Sequence, residues 1–263
     1  MVVTVFLAAL INLLQTVSKD RIQLELNSSS QLALDLIERD IRYSTTFATS
    51  LPSQFPDPYG ATNSGTGGTN AWSHKGVPAS TSKRALILRA QATNLNPYAL
   101  ERKQVFVNGS VSNPYTVDPA LDCSTKLTLN PRLPYYTIYF VRDSVLYRRT
   151  LTDTSTGLCA TAGNVQHQRL SCPPELRSTW NASCSAQDEV AVRDVTNFSI
   201  DYYQRDEDNP TIFTLISDAY TSTDPGVLIP ARDAEVNLTL SKTSGGKVIQ
   251  STLGLRASRI NEE

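Results

Sequence analysis

The 263-residue sequence predicts an α+β protein: one long N-terminal helix packed on an antiparallel β-sheet domain. Three observations point there. Residues 1–45 contain no proline and no glycine, and their apolar residues recur at helical spacing. Beyond residue 46 the apolar residues instead alternate over short runs separated by turn signals. The chain also holds 11 Tyr, 14 Pro and many Ser and Thr, a composition suited to strands and loops.

The helix opens on MVVTVFLAALINLLQTVSKD and carries its pattern through Leu10, Leu14, Val17, Arg21 and Leu24 to Leu34, Ile37 and Ile41. Its first part is apolar and its second amphipathic, so the second part is expected to press Leu34, Ile37 and Ile41 onto its own sheet. At about 1.5 Å per residue it would run roughly 60 Å, far beyond an ordinary globular helix. The stretch Asn27–Ser30 is its weakest point, because Asn and Ser side chains compete for backbone hydrogen bonds. A stop is expected near Tyr43–Thr46, where LPSQFPDPYG brings three prolines.

After the helix comes ATNSGTGGTN, a flexible loop by composition. SKRALILRAQA (82–92) reads as a buried strand, and KQVFVNGSV as two short strands around an Asn-Gly turn. YYTIYFVRDSVLYRRTL gives a hairpin of Tyr135–Val141 and Val145–Leu151 about a turn at 142–144. Residues 152–187 lack periodicity and read as a disulfide-stapled loop. DVTNFSIDYYQRD is an alternating strand with Val195, Phe198, Ile200 and Tyr202 on its apolar side. The last hairpin turns at Gly245–Gly246 and is expected to set Val236, Leu238 and Leu240 against Val248, Leu253 and Leu255. Two units follow: the helix, 1–45, and the β domain, 46–263.

Bulk properties narrow the function. A net charge of −1 with 19% charged residues gives no basic footprint for nucleic acid. Cys123, Cys159, Cys172 and Cys184 include no CxxC pair, and only two histidines exist, so a zinc site is a poor reading. An even cysteine count beside an apolar N-terminus favours two disulfides in an oxidising compartment. Of the three pairings, closeness in sequence favours Cys172–Cys184 with Cys123–Cys159, and the others stay open. No hydrolase, metalloprotease or phosphate-loop signature is present. His74 and His167 read as solvated loop residues, and Asp206-Glu207-Asp208 as a solvated hairpin loop. No catalytic, metal or cofactor residue is expected, and the five Asn-x-Ser/Thr sites carry no functional weight.

The opening stretch fits neither of its two simplest roles. A cleaved signal would show a basic start and a break after its apolar core, yet Lys19 is the first basic residue and no break occurs. A self-sufficient membrane span needs about 20 apolar residues, more than Met1–Leu14 supplies. The remaining reading is an apolar helix that protrudes from its domain, lodged first in a membrane and then among copies of itself.

At this point the sequence resembles the type IV pilin-like proteins, nearest the larger minor-pilin or J-type pseudopilin subgroup. The likeness rests on LALDLIERDIRYS (32–44), YTIYFVRDSVLYRRTL (136–151), VRDVTNFSIDYY (192–203) and LRASRIN (255–261), together with the overall layout. It implies a subunit of a cell-surface filament, membrane-anchored before assembly and polymerising through its apolar helix. The implied filament core is Val2, Val3, Val5, Phe6, Leu7, Leu10, Ile11, Leu13 and Leu14. Implied partners are further copies or other pilins, the assembly machinery, and a host-cell or surface receptor, with adhesion, motility, DNA uptake and secretion all open as roles. The family's glycine cleavage site and fifth-position glutamate are absent, residue 5 being Val5. The expectation is therefore that the sequence begins inside the mature chain. The competing reading is a membrane-anchored binding domain that never polymerises and recognises ligands through loops 54–82 and 152–187.

Each Leu or Ile buried in such a core would contribute roughly 1.5–3 kcal/mol relative to water, and less relative to lipid. Ala8–Ala9 would allow close helix approach, while Asn12 and Gln15 would need polar partners. A heterologous contact that repeats without closing makes a helical polymer.

Overall fold

The computed structural model describes residues 2–52, 55, 57, 72–76, 84–108, 131–152, 158–159, 163–173, 184–206, 208–209 and 211–260. For 2–9, 11 and 12 it describes the backbone alone. Helix α1 runs unbroken over Val2–Tyr43, 42 residues. The Asn27–Ser30 stretch does not interrupt it. There Asn27 Oδ1 accepts from Gln23 Nε2 at 3.0 Å and from Ser251 Oγ at 2.6 Å, and Ser30 is fully buried. Asn27 is thus engaged by a tertiary contact, while the Ser30 hydroxyl is buried without a hydrogen-bond partner among the described residues. Ser44 closes the helix, its amide and hydroxyl both donating to the Ile41 carbonyl at 3.1 and 2.8 Å.

Eleven strands follow among the described residues: β1 (Thr46–Phe47), β2 (Leu86–Gln91), β3 (Pro134–Arg142), β4 (Val145–Thr152), β5 (Ser171–Cys172), β6 (Ala186–Gln187), β7 (Glu189–Arg193), β8 (Val195–Arg205), β9 (Phe213–Leu215), β10 (Ala231–Ser244) and β11 (Lys247–Ser258). They build two antiparallel sheets rather than one, ordered β1-β2-β3-β4-β7 and β11-β10-β8-β9, and the short parallel pair β5-β6. The coarse α+β architecture read from sequence therefore holds, with the β part divided.

Both long hairpins turn on two residues with positive φ. Asp143 and Ser144 (50° and 59°) link β3 to β4, and Gly245 and Gly246 (57° and 73°) link β10 to β11. Two central residues in the left-handed region match the right-handed twist of the strands they join. The final hairpin pairs Val236 with Leu255 and Leu238 with Leu253, as expected, but Val248 faces solvent and Ile249 is buried in its place. On the other side of β10, Leu240 pairs with Val195 while Thr239 pairs with Asn197, leaving Thr196 bulged. That extra residue lets Val195 and Phe198 share one buried face despite their odd spacing. In the first of the two strands expected around the Asn-Gly turn, Gln104 bridges Thr93, Phe106 bridges Arg132, and Val107 bridges Leu158; the second lies outside the described residues. The Asn-Gly turn and the ATNSGTGGTN loop lie outside the described residues.

One core joins helix and both sheets. Leu26, Ala33, Leu34, Ile37 and Ile41 pack with Leu86, Tyr139 and Val141 of the first sheet and Phe198, Ile200 and Val236 of the second. The expected contacts of Leu34, Ile37 and Ile41 are all present, each worth roughly 1.5–3 kcal/mol of burial. A second cluster lies on the other face of the first sheet, where Phe55 and Trp72 cover Tyr136, Ile138 and Phe140. Covered on both faces, all nine residues of β3 are buried. Within loop 54–82, Phe55, Asp57 and Trp72 are buried. His74, read from sequence as solvated, is buried there too.

The helix runs alongside β11. The β10–β11 hairpin tip lies against Leu14–Lys19, and at the other end the Ile260 amide donates to the Arg42 carbonyl at 3.2 Å. Both elements span about 40 Å over that stretch. Residues 2–13 therefore project about 18 Å past the hairpin tip.

Candidate assembly surface

Along its length α1 carries a buried set and an exposed set of apolar side chains. Leu26, Ala33, Leu34, Ile37 and Ile41 point inward, while Leu10, Leu13, Leu14, Val17, Leu24 and Leu32 are exposed, from 42% at Leu10 to 69% at Leu24. At about 100° per residue these six fall within one stripe roughly 100° wide, opposite the buried face. Three of the nine residues assigned to the interface from sequence, Leu10, Leu13 and Leu14, thus lie on an open apolar surface. Val2, Val3, Val5, Phe6, Leu7 and Ile11 are on the helix, but their side chains lie outside the described set. Val17, Leu24 and Leu32 were missed as surface residues. Their signal was spacing, since they continue the Leu10–Leu14 line along the helix.

Beside the stripe, Leu14, Gln15, Ser18 and Lys19 form a groove of about 260 Å³ with Ser244, Gly245 and Lys247. Just below it Lys242 Nζ contacts Glu25 Oε1 at 2.8 Å and Asp194 Oδ2 at 3.7 Å. The hydrogen bond to Lys242 holds the Glu25 carboxyl below its usual range and, from the other side, raises the Lys242 ammonium. Among the described residues no helix is long and apolar enough to cross a membrane.

The far end of the helix is fixed by a buried polar cluster. Asp40 accepts from Arg148 Nε at 2.6 Å and Nη2 at 3.3 Å, from Tyr139 Oη at 2.6 Å, and from Tyr98 Oη. Burial, and then the Asp40 charge, push the Tyr139 phenol well above its ordinary value. For Arg148 burial works against the cation, but Asp40 outweighs it and the net shift is upward. Neighbouring strand residues point to opposite faces, so Arg149 reaches the other side of the sheet. There it meets Asp188 at 2.6 Å and Asp57 at 2.9 Å, with Trp72 Nε1 donating to Asp57 and Ser171 Oγ to Asp188. These charges tie layers together.

Cys172 and Cys184 are disulfide-bonded across 12 positions, securing the β5–β6 pair. Cys159 is also disulfide-bonded, whereas Cys123 lies outside the described residues, and with it the expected Cys123–Cys159 pair. Asp206 is exposed at the β8–β9 turn and accepts from the amides of Asp208 and Asn209. Among the described residues no group of three or more His, Cys, Asp or Glu is placed to hold a metal.

No protein-family model, curated protein or solved structure matches the chain.

Proposed function

We propose that this chain is a structural subunit of a type IV pilus-like filament at the cell surface, held in the membrane before assembly and polymerising through its apolar N-terminal helix. The observation that carries the reading is the exposed stripe from Leu10 to Val17 on a helix that outruns its own domain. An apolar helix face left in water is costly, and further copies of the same helix would cover it. A repeated head-to-tail contact of that kind yields an open helical polymer. The pinned C-terminal half supports the reading as well, because it fixes the direction in which the projecting segment leaves the domain. In this role the chain is not an enzyme, and its disulfides suit an oxidising, extracytoplasmic setting.

Electron micrographs of assemblies purified with the full chain test this. Filaments in which residues 2–17 pack against the same segment of neighbouring copies are expected. A chain that stays single in detergent or lipid, with that segment contacting lipid alone, would be the non-polymerising binding domain instead.

A further inference from the structure

We propose that a cleft at the opposite end of α1 binds an acidic saccharide, its carboxylate held by Arg102 and Arg132. The cleft, about 350 Å³, lies between the end of the helix (Tyr43, Thr45) and the segment 93–104, with Tyr135 among its lining residues. Its volume is in the range of small-ligand sites, about 300–1,000 Å³. Among the described residues two guanidinium groups line it and no carboxylate does, which places a local excess of positive charge at the space. On a chain whose net charge is −1, that asymmetry is local to the cleft.

Arg102 is set in place before any ligand arrives. Its Nη1 donates to the Ala99 carbonyl at 3.0 Å, and its guanidinium carbon sits 4.8 Å from the Tyr43 ring centroid. Tyr43 in turn packs on Tyr98 at 5.3 Å, and Arg39 caps Tyr98 at 3.9 Å. Tyr98 is anchored through its hydroxyl to Asp40. This column immobilises one arginine, so little side-chain freedom is lost when it takes a carboxylate. Arg132 is exposed and supplies the second fork.

The rest of the lining favours a sugar ring over an acidic peptide. The exposed Gln104 provides a planar amide, both donor and acceptor, which matches vicinal hydroxyls. Pro97 and the exposed Leu100 give apolar surface for the ring's carbon face. The cleft is far along the helix from Leu10–Val17, so its test is separate from that of assembly.

Titration calorimetry of the full chain with tetragalacturonate, maltotetraose and tetraglutamate decides the matter. Tetragalacturonate is expected to bind and maltotetraose not to. Arg132→Gln, a surface change, should weaken binding about tenfold or more, the effect of losing one charge-assisted fork. Arg102→Gln should do the same, while Lys247→Gln, at the distant hairpin, should leave affinity unchanged. Absence of tetragalacturonate binding, equal binding of maltotetraose, binding of tetraglutamate at least as tight, or full affinity in Arg132→Gln would each overturn the proposal.

Discussion

Asp40 of the helix and Arg148 of β4, 108 positions apart, meet at 2.6 Å inside the protein. The carboxylate lies in the inner layer at the point where α1 ends its run along the sheets. Removing it would leave a largely buried guanidinium and two phenols short of an acceptor. Asp40→Ala should therefore destabilise the fold by about 3–5 kcal/mol. Urea denaturation followed by circular dichroism measures this. The paired change Asp40→Leu with Arg148→Met should recover much of the loss, since an apolar pair needs no partner.

Alkaline pH should unfold the protein through its tyrosines. Burial pushes the phenols of Tyr98, Tyr135, Tyr139, Tyr202 and Tyr220 above their ordinary value. A raised folded value means the neutral phenol is favoured in the folded state. The resulting stability is complete below pH about 10 and is lost as pH rises above it. Phenolate absorbance should accordingly rise in two phases, the second coinciding with loss of ellipticity. A single phase with the fold intact would contradict this.

His74 should act in the opposite direction. Its ring faces the carbonyls of Ala219 at 2.6 Å and Thr49 at 3.1 Å and stacks on Tyr220. Burial lowers its affinity for a proton, Lys75 and Arg84 adding to the effect against the two carbonyl hydrogen bonds. A lowered folded value gives stability that is present above pH about 6.5 and fades as pH falls below it. His74→Gln should flatten the dependence of Tm on pH between about 7.5 and 5, and thermal melts across that window check it. The closer carbonyl also predicts that the neutral ring carries its proton on Nε2, which nitrogen shifts report.

Loss of the Cys172–Cys184 bond should cost about 2–4 kcal/mol, as expected for closing a loop of this length. Replacing both with Ser and measuring urea stability gives the value. Because Ser171 holds Asp188, the variant should also raise hydrogen exchange around Arg149.

Helix substitutions should separate folding from assembly. Ile37→Ala, in the core, should destabilise the monomer by about 2–5 kcal/mol. Leu13→Ser combined with Leu14→Ser, on the exposed stripe, should change monomer stability by no more than about 0.5 kcal/mol and abolish filaments. Denaturation curves and micrographs of the same preparations distinguish the two effects.

Local chemistry made much of this fold readable. The spacing of Leu34, Ile37 and Ile41 reported the buried helix face, and the alternation on either side of Asp143–Ser144 reported a hairpin. Non-local contacts hid the rest. Nothing near Asp40 in sequence points to Arg148, and on a charged helix face Asp40 looks solvated. The buried state of His74 depends on the distant Ala219. β7, Glu189–Arg193, escaped notice because three of its five residues are exposed and two are charged. Val248 was placed inward because its apolar character suggested it, yet the Gly245–Gly246 turn fixes the register and gives the inner position to Ile249. On the candidate surface, Leu10, Leu13 and Leu14 were readable from composition, whereas the stripe's continuation to Leu24 and Leu32 needed the sheets to show which face was covered.

The helix carries neither proline nor glycine over its 42 residues and lies lengthwise on β11. A tensile force on its projecting end would thus act along the strands rather than across them. Glu25–Lys242, Asn27–Ser251 and Asp40–Arg148 lie in that order along the helix from the projecting end, the first an exposed pair and the last a buried one.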